Sequence, residues 1–124
     1  MIKRERYISK IRPFYNCDLI KAITGVRRCG KSVILEQIMD EIKTTIDNII
    51  YLNFEKTTDL LKADTSLKLV DYIKQNRKEG KCYIFLDEIK EVRDWQFAVK
   101  DFRLNNNSIF ITGSNSKLFY FVKF

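Results

Sequence analysis

The feature that most constrains the fold is the segment Gly25-Val26-Arg27-Arg28-Cys29-Gly30-Lys31-Ser32, set between two stretches of different character. Before it runs Leu19-Ile20-Lys21-Ala22-Ile23-Thr24, a short apolar run that reads as a strand ending in a glycine-containing turn. After it, Leu35, Ile38, Met39, Ile42 and Ile46 recur at spacings of three and four. That spacing lays one apolar stripe along a helix. Two glycines with four residues between them, then lysine and serine, therefore stand at a strand-to-helix turn.

Each fixed residue of this pattern has a physical task. The glycines let the backbone adopt left-handed conformations and approach a ligand without a Cβ in the way. Successive N–H groups then form a nest for an anion, and the following helix adds the positive end of its dipole. Lys31 reaches the β- and γ-phosphates of a nucleotide, and the Ser32 hydroxyl is offered to Mg²⁺. The cradle taken as a whole is Gly25, Val26, Arg27, Arg28, Cys29, Gly30, Lys31, Ser32 and Val33.

The rest of the chain alternates in the same way. Ile49 to Phe54 is β-branched and aromatic, hence a strand; Thr57 to Asp64 reads as a loop. Leu67, Val70, Ile73 and Lys74 fall on a second helix, expected to stop near Gly80 as a left-handed C-cap. Cys82 to Leu86 is a continuous apolar strand of the buried parallel kind. Asp94 is placed to cap a third helix with Trp95, Ala98, Val99 and Phe102 on one side. Ser108 to Thr112 is a fourth strand. Strands separated by helices predict βαβ units and a parallel sheet, an α/β fold.

Two further strand ends carry chemistry. Asp87 and Glu88 follow the apolar run Tyr83 to Leu86, which delivers both carboxylates to the carboxyl edge of the sheet, where open α/β folds bind ligands. Asp87 is read as the partner of Ser32 in holding Mg²⁺, and Glu88 as the base that polarises water for attack on the γ-phosphate. Thr112-Gly113-Ser114-Asn115 ends the fourth strand with small polar residues suited to report on that phosphate. Asn53 and Glu55, at the end of the second strand, are weaker candidates to face the nucleotide.

Composition bounds the alternatives. A chain of 124 residues suits one domain with one core, and 45% hydrophobic content fits a packed one. No apolar run approaches the ~20 residues of a membrane-spanning helix, and no signal-peptide pattern follows the charged N-terminus. The absence of histidine removes the usual zinc ligand and neutral-pH base. Cys17, Cys29 and Cys82 are scattered, as reduced thiols of a cytoplasmic protein are. The net charge of +7 raises a nucleic-acid partner, yet the basic residues are spread along the chain, as on a solvated surface. Pro13 marks the boundary between a basic N-terminal lead-in, residues 1–18, and the first strand.

Taken together, Ile23 to Ser32, Asn53-Phe54-Glu55, Phe85 to Ile89 and Ile111 to Leu118 resemble the prokaryotic AAA-like P-loop ATPases that pair an N-terminal ATPase domain with a C-terminal domain of unknown function. The resemblance runs from about Tyr7 to Leu118. It implies a three-layer, mostly parallel sheet of the RecA/AAA-like additional-strand type, with the fourth strand between the first and third. It matches Lys31 and Ser32 to the phosphate and magnesium residues, Asp87 and Glu88 to the metal-binding and catalytic carboxylates, and Asn115 or Ser114 to the sensor. The ATPase core is then residues 19–118.

Lys90 stands where glutamine is usual. Where the family continues with a helix, a fifth strand and arginines, this chain gives the aromatic tail Phe119 to Phe124. The expectation is a truncated or split ATPase domain, incomplete at the C-terminus, poorly soluble alone and served by a missing C-terminal domain or an oligomeric partner.

The leading reading is Mg²⁺-dependent binding and hydrolysis of ATP. A nucleotide-binding module without turnover and a nucleic-acid-associated protein stay open beside it. A small-molecule kinase is disfavoured because Glu88 beside Asp87 suits activation of water. GTP is disfavoured because no Asn-Lys-x-Asp stretch exists to read guanine. Cys29, beside Arg28 and a helix N-terminus, is expected to react with alkylating agents and to be protected by nucleotide.

Overall fold

The computed structural model describes residues 8, 9, 11–17, 19–23 and 28–113, the side chains of 28–32 excepted. Its elements run β1 (Lys21–Ile23), α1 (Arg28–Lys43), β2 (Ile49–Asn53), α2 (Thr57–Lys62), α3 (Ser66–Asn76), β3 (Cys82–Asp87), α4 (Trp95–Leu104) and β4 (Asn107–Thr112). The four strands form one sheet in the order β1-β4-β3-β2, every neighbouring pair parallel. Parallel neighbours need crossover connections, and the connecting helices cover both faces. β4 lies between β1 and β3, the arrangement that the resemblance implied.

Side-chain alternation sorts the strands' residues onto the two faces. Ile50, Leu52, Ile84, Leu86, Ile109 and Ile111 meet Leu69 and Ile73 of α3 and Trp95, Ala98, Val99 and Phe102 of α4. On the other face Ile23, Tyr83, Phe85 and Phe110 meet Ile34, Leu35, Ile38, Met39 and Ile42 of α1. There the Phe85 and Phe110 rings stack with centroids 4.6 Å apart. β3 and β4 are buried along their whole length, so they read as continuous apolar runs rather than alternating ones.

The segment ahead of β1 is part of this packing. Ile8 and Ile11 are buried in the α1-side cluster. Arg12 grips Glu41 of α1 through two hydrogen bonds, Nε to Oε1 at 3.0 Å and an Nη to Oε2 at 2.8 Å, and the Tyr15 hydroxyl donates to Glu41 at 2.9 Å. Pro13 lies in a 3₁₀ turn, Arg12–Phe14. Lys21 is fully buried on β1; its ammonium donates to Cys17 O at 2.8 Å and Ser108 Oγ at 2.7 Å and lies over the Phe110 ring. Those contacts tie the lead-in to the sheet, because a buried charge must be matched by polar partners.

Four local expectations change. Thr57 to Lys62 is a short helix rather than a loop. The inner residues of α3 are Leu69 and Ile73, while Leu67 is 83% exposed. α3 ends at Asn76 with an extended Arg77, so Gly80 does not cap it. Gly80 instead takes φ +87° in the turn to β3, which the Asn48 side chain organises through the carbonyls of Lys78, Glu79 and Lys81. Asp94 occupies the N-cap position of α4, but in a left-handed conformation and without a side-chain capping bond.

The outer edge of β2 is capped at both ends from within. Tyr83 N–H donates to Asn48 O, and Phe54 N–H to Asp87 O, so residues 48, 50, 52 and 54 address β3. Ile49, Tyr51 and Asn53 then direct their backbone groups outward. Of these N–H groups, that of Ile49 is taken by Asp47 O at 3.0 Å and that of Asn53 by Asp59 Oδ2 at 2.9 Å. Such capping blunts an edge that would otherwise template another strand.

Candidate functional site

The strand register brings the candidate positions level. Ile23 pairs with Thr112, Leu86 with Ile111 and Asn53 with Asp87. Ile23, Thr112, Asp87 and Asn53 therefore form one row across the carboxyl edge of the sheet. β1 stops at Ile23, at the end of that row, and α1 begins at Arg28. α1 starts at this edge, and the N-terminus of a helix carries partial positive charge and unsatisfied N–H groups.

Asp87 is 1% exposed, and its two carboxylate oxygens are addressed from opposite sides. Thr112 Oγ1, on β4, donates to Oδ1 at 2.5 Å, while the Tyr51 hydroxyl, on β2, donates to Oδ2 at 3.3 Å. The two donors differ in length for a geometric reason. Thr112 is directly across from Asp87 on an adjacent strand, within a short hydroxyl's reach. Tyr51 pairs with Phe85, two residues back, and such a diagonal of roughly 7–8 Å is spanned by an aromatic side chain. Burial first, then the charge and hydrogen bond of Asp87, push the Tyr51 phenol above its ordinary range, so it stays a donor.

Glu88 leaves the strand at φ 54°, ψ 52°, a left-handed conformation that costs a non-glycine residue about 1–2 kcal/mol. Its N–H donates to Thr112 Oγ1 at 3.0 Å, so a single hydroxyl engages both acidic residues. Glu88 is itself 7% exposed. The chain beyond it is pinned: Ile89 and Val92 are buried, and Arg93 bridges to Thr65. Ser66 N–H donates to Arg93 O and Arg93 N–H to Asp64 O, both at 2.9 Å. Strain of this kind concentrates at functional sites and persists only where the surroundings over-determine it.

The other candidates are placed less fully. Arg28, Cys29, Gly30, Lys31 and Ser32 open α1, and their side chains lie outside the described residues, as do Gly25, Val26 and Arg27 altogether. Val33 is half-buried on α1. Ser114 and Asn115 lie outside the described residues; Gly113, buried, directly follows β4. Asn53 Oδ1 accepts from Glu55 N–H at 3.0 Å in a local turn, and Glu55 is exposed. Two participants escaped the sequence reading of the site, Tyr51 altogether and Thr112 as the residue joining Asp87 to Glu88. Their partnership is a property of register between strands that are distant in sequence.

Among the described residues no three carboxylate or thiol groups converge as a cation cage. One buried strand-end carboxylate nevertheless fits Mg²⁺, which is usually held by one or two carboxylates together with phosphate oxygens and water. No helix among the described residues is long and apolar enough to cross a membrane.

A four-stranded, all-parallel sheet with helices on both faces and carboxylates at a strand end is an α/β architecture of the P-loop NTPase-like class. The comparisons are narrower: the family described as AAA domain matches residues 18–120, and the chain belongs to that family. An uncharacterized protein of Haemophilus influenzae is 39% identical over 123 residues, covering 95% of this chain and 31% of the relative. An uncharacterized protein of Methanocaldococcus jannaschii is 40% identical over 111 residues, covering 80% of this chain and 22% of the relative. The chain thus spans less than a third of the length of either relative. No solved structure matches it.

Proposed function

We propose that this chain is an ATPase module that binds ATP with Mg²⁺ across the carboxyl ends of its strands and hydrolyses it. The observation that carries this reading is the Asp87–Thr112–Glu88 hydrogen-bonded cluster, level with Ile23 at the end of β1. In it the N–H groups of Gly25 to Ser32 and the Lys31 side chain hold the phosphates, with Val33 following on α1. Ser32 and Asp87 hold Mg²⁺, which when bound neutralises charge on the phosphate oxygens. Glu88 accepts a proton from the water that attacks the γ-phosphorus, and Asn115 reports on that phosphate. The reaction then releases ADP and inorganic phosphate.

Nucleic acid is not favoured as the partner. Among the described residues four basic side chains spread along the chain pair with acids, Arg12 with Glu41, Lys62 with Asp59, Lys68 with Asp64 and Lys78 with Asp47.

The test is steady-state phosphate release by the chain and its Glu88→Gln variant. A lost general base costs about 10²–10⁴-fold, so the variant should retain ATP while turnover falls by at least that lower factor. Wild-type ATP binding without turnover would leave a nucleotide-holding module. Equal turnover by both proteins would remove Glu88 from the chemistry.

A further inference from the structure

Asp87 has a second hydroxyl partner that the catalytic reading does not use. Tyr51 stands on β2, an edge strand of the described sheet, half-buried and on the face turned toward α1. A valine or isoleucine would supply apolar packing there, as Ile49 does two residues earlier on the same face. The tyrosine adds one oxygen, and that oxygen donates to Asp87 Oδ2 at 3.3 Å. Thr112 holds Oδ1 from the opposite strand. A carboxylate held at one oxygen still pivots about that bond; held at both, its plane is fixed. Outer partners of this kind set the orientation of cation ligands and typically change metal affinity 10–100-fold when lost.

We infer that Tyr51 is a positioning residue for the cation-holding carboxylate, fixing the plane of Asp87 from β2 so that Mg²⁺ is gripped with the bound nucleotide. The inference rests on the Mg²⁺-ATP reading and adds to it an edge-strand residue outside every phosphate-binding motif of the sequence.

The experiment is a Mg²⁺ titration of a fluorescent ATP analogue bound to wild-type protein, Tyr51→Phe and Tyr83→Phe. Phenylalanine keeps the ring and its packing and removes only the hydroxyl. Tyr83 is the control: it lies on the same face of the sheet, but its hydroxyl bonds Asn16. The Mg²⁺ midpoint of Tyr51→Phe should rise about 10-fold, at the low end of the range because the bond is long. Its analogue affinity in EDTA should match wild type, and Tyr83→Phe should titrate as wild type.

A Tyr51→Phe curve superposing on a Mg²⁺-dependent wild-type curve would overturn the inference alone. Equal shifts in both variants would overturn it too, by exposing a general packing effect. Wild-type protein that binds the analogue with no response to Mg²⁺ would overturn the inference together with the reading beneath it.

Discussion

Replacing Thr112 by valine swaps a hydroxyl for a methyl while keeping the β-branched shape that a buried strand favours. Two bonds disappear, the 2.5 Å donation to Asp87 Oδ1 and the 3.0 Å acceptance from Glu88 N–H. Thr112 is fully buried and Asp87 and Glu88 nearly so, so water does not readily replace the lost partner. A hydrogen bond to a charged group contributes about 1.5–3 kcal/mol, and a buried N–H left orphaned costs about 1–3 kcal/mol. The added methyl recovers roughly 0.8 kcal/mol of apolar burial. The net expectation is a loss of about 2–5 kcal/mol, which for a domain of this size lowers Tm by about 8–20 °C.

Thr112→Ser, which keeps the hydroxyl and loses one buried methyl, should cost only about 1 kcal/mol. Thermal and urea unfolding followed by far-UV circular dichroism measures both variants. A Thr112→Val protein melting within about 3 °C of wild type, or above Thr112→Ser, would refute the reasoning, because the hydroxyl would then not be joining the two acidic residues.

Asp59→Ala should cost about 1–2 kcal/mol in urea unfolding, since it frees the outward N–H of Asn53, while Asp59→Asn keeps an acceptor there and most of the stability. The alanine variant should also associate more readily in light scattering as the β2 edge is uncovered; unchanged stability would place the Asp59 bond among dispensable surface contacts. Alkaline pH should weaken the fold in a defined window. Burial pushes the Cys82 thiol from 9.0 to about 11 and raises the Tyr15, Tyr51 and Tyr83 phenols above 10.0, so the folded state holds these protons more tightly than the unfolded state. The stabilisation is complete below about pH 9 and is lost as pH rises, through 9–11 for Cys82 and from 10 upward for the tyrosines. Tm should be flat from pH 7 to 8.5 and fall beyond, with Cys82→Ala removing part of the fall; a flat profile to pH 11 would contradict it.

The parallel sheet was legible because Ile84 to Leu86 and Ile109 to Ile111 are buried on both faces and leave unbroken apolar runs. The helix faces at Trp95, Ala98, Val99 and Phe102, and at Leu35, Ile38, Met39 and Ile42, were legible because each buries one stripe. α2 was hidden because its six residues include none that is fully buried, so no apolar period marks it. Ile8 and Ile11 sit among charges, and two isoleucines three apart are too few to announce a packed turn. Asp94 and Gly80 carried the right residue types for caps, but their backbone conformations are decided by the Thr65–Arg93 bridge and the Asn48 turn. At the site, Asp87 and Glu88 followed from a local pattern. Their link through Thr112, and the reach of Tyr51 to Asp87, required the register of three strands.

The central claim, that this sheet edge is a nucleoside triphosphate site, is tested most directly by calorimetric titration of Mg²⁺-ATP into the chain and into Lys31→Ala. The account predicts saturable binding by wild-type protein and at least a 10-fold weaker affinity in the variant, with both proteins equally folded. A folded wild-type chain that takes up no ATP, or a Lys31→Ala variant that binds it equally well, would contradict the account.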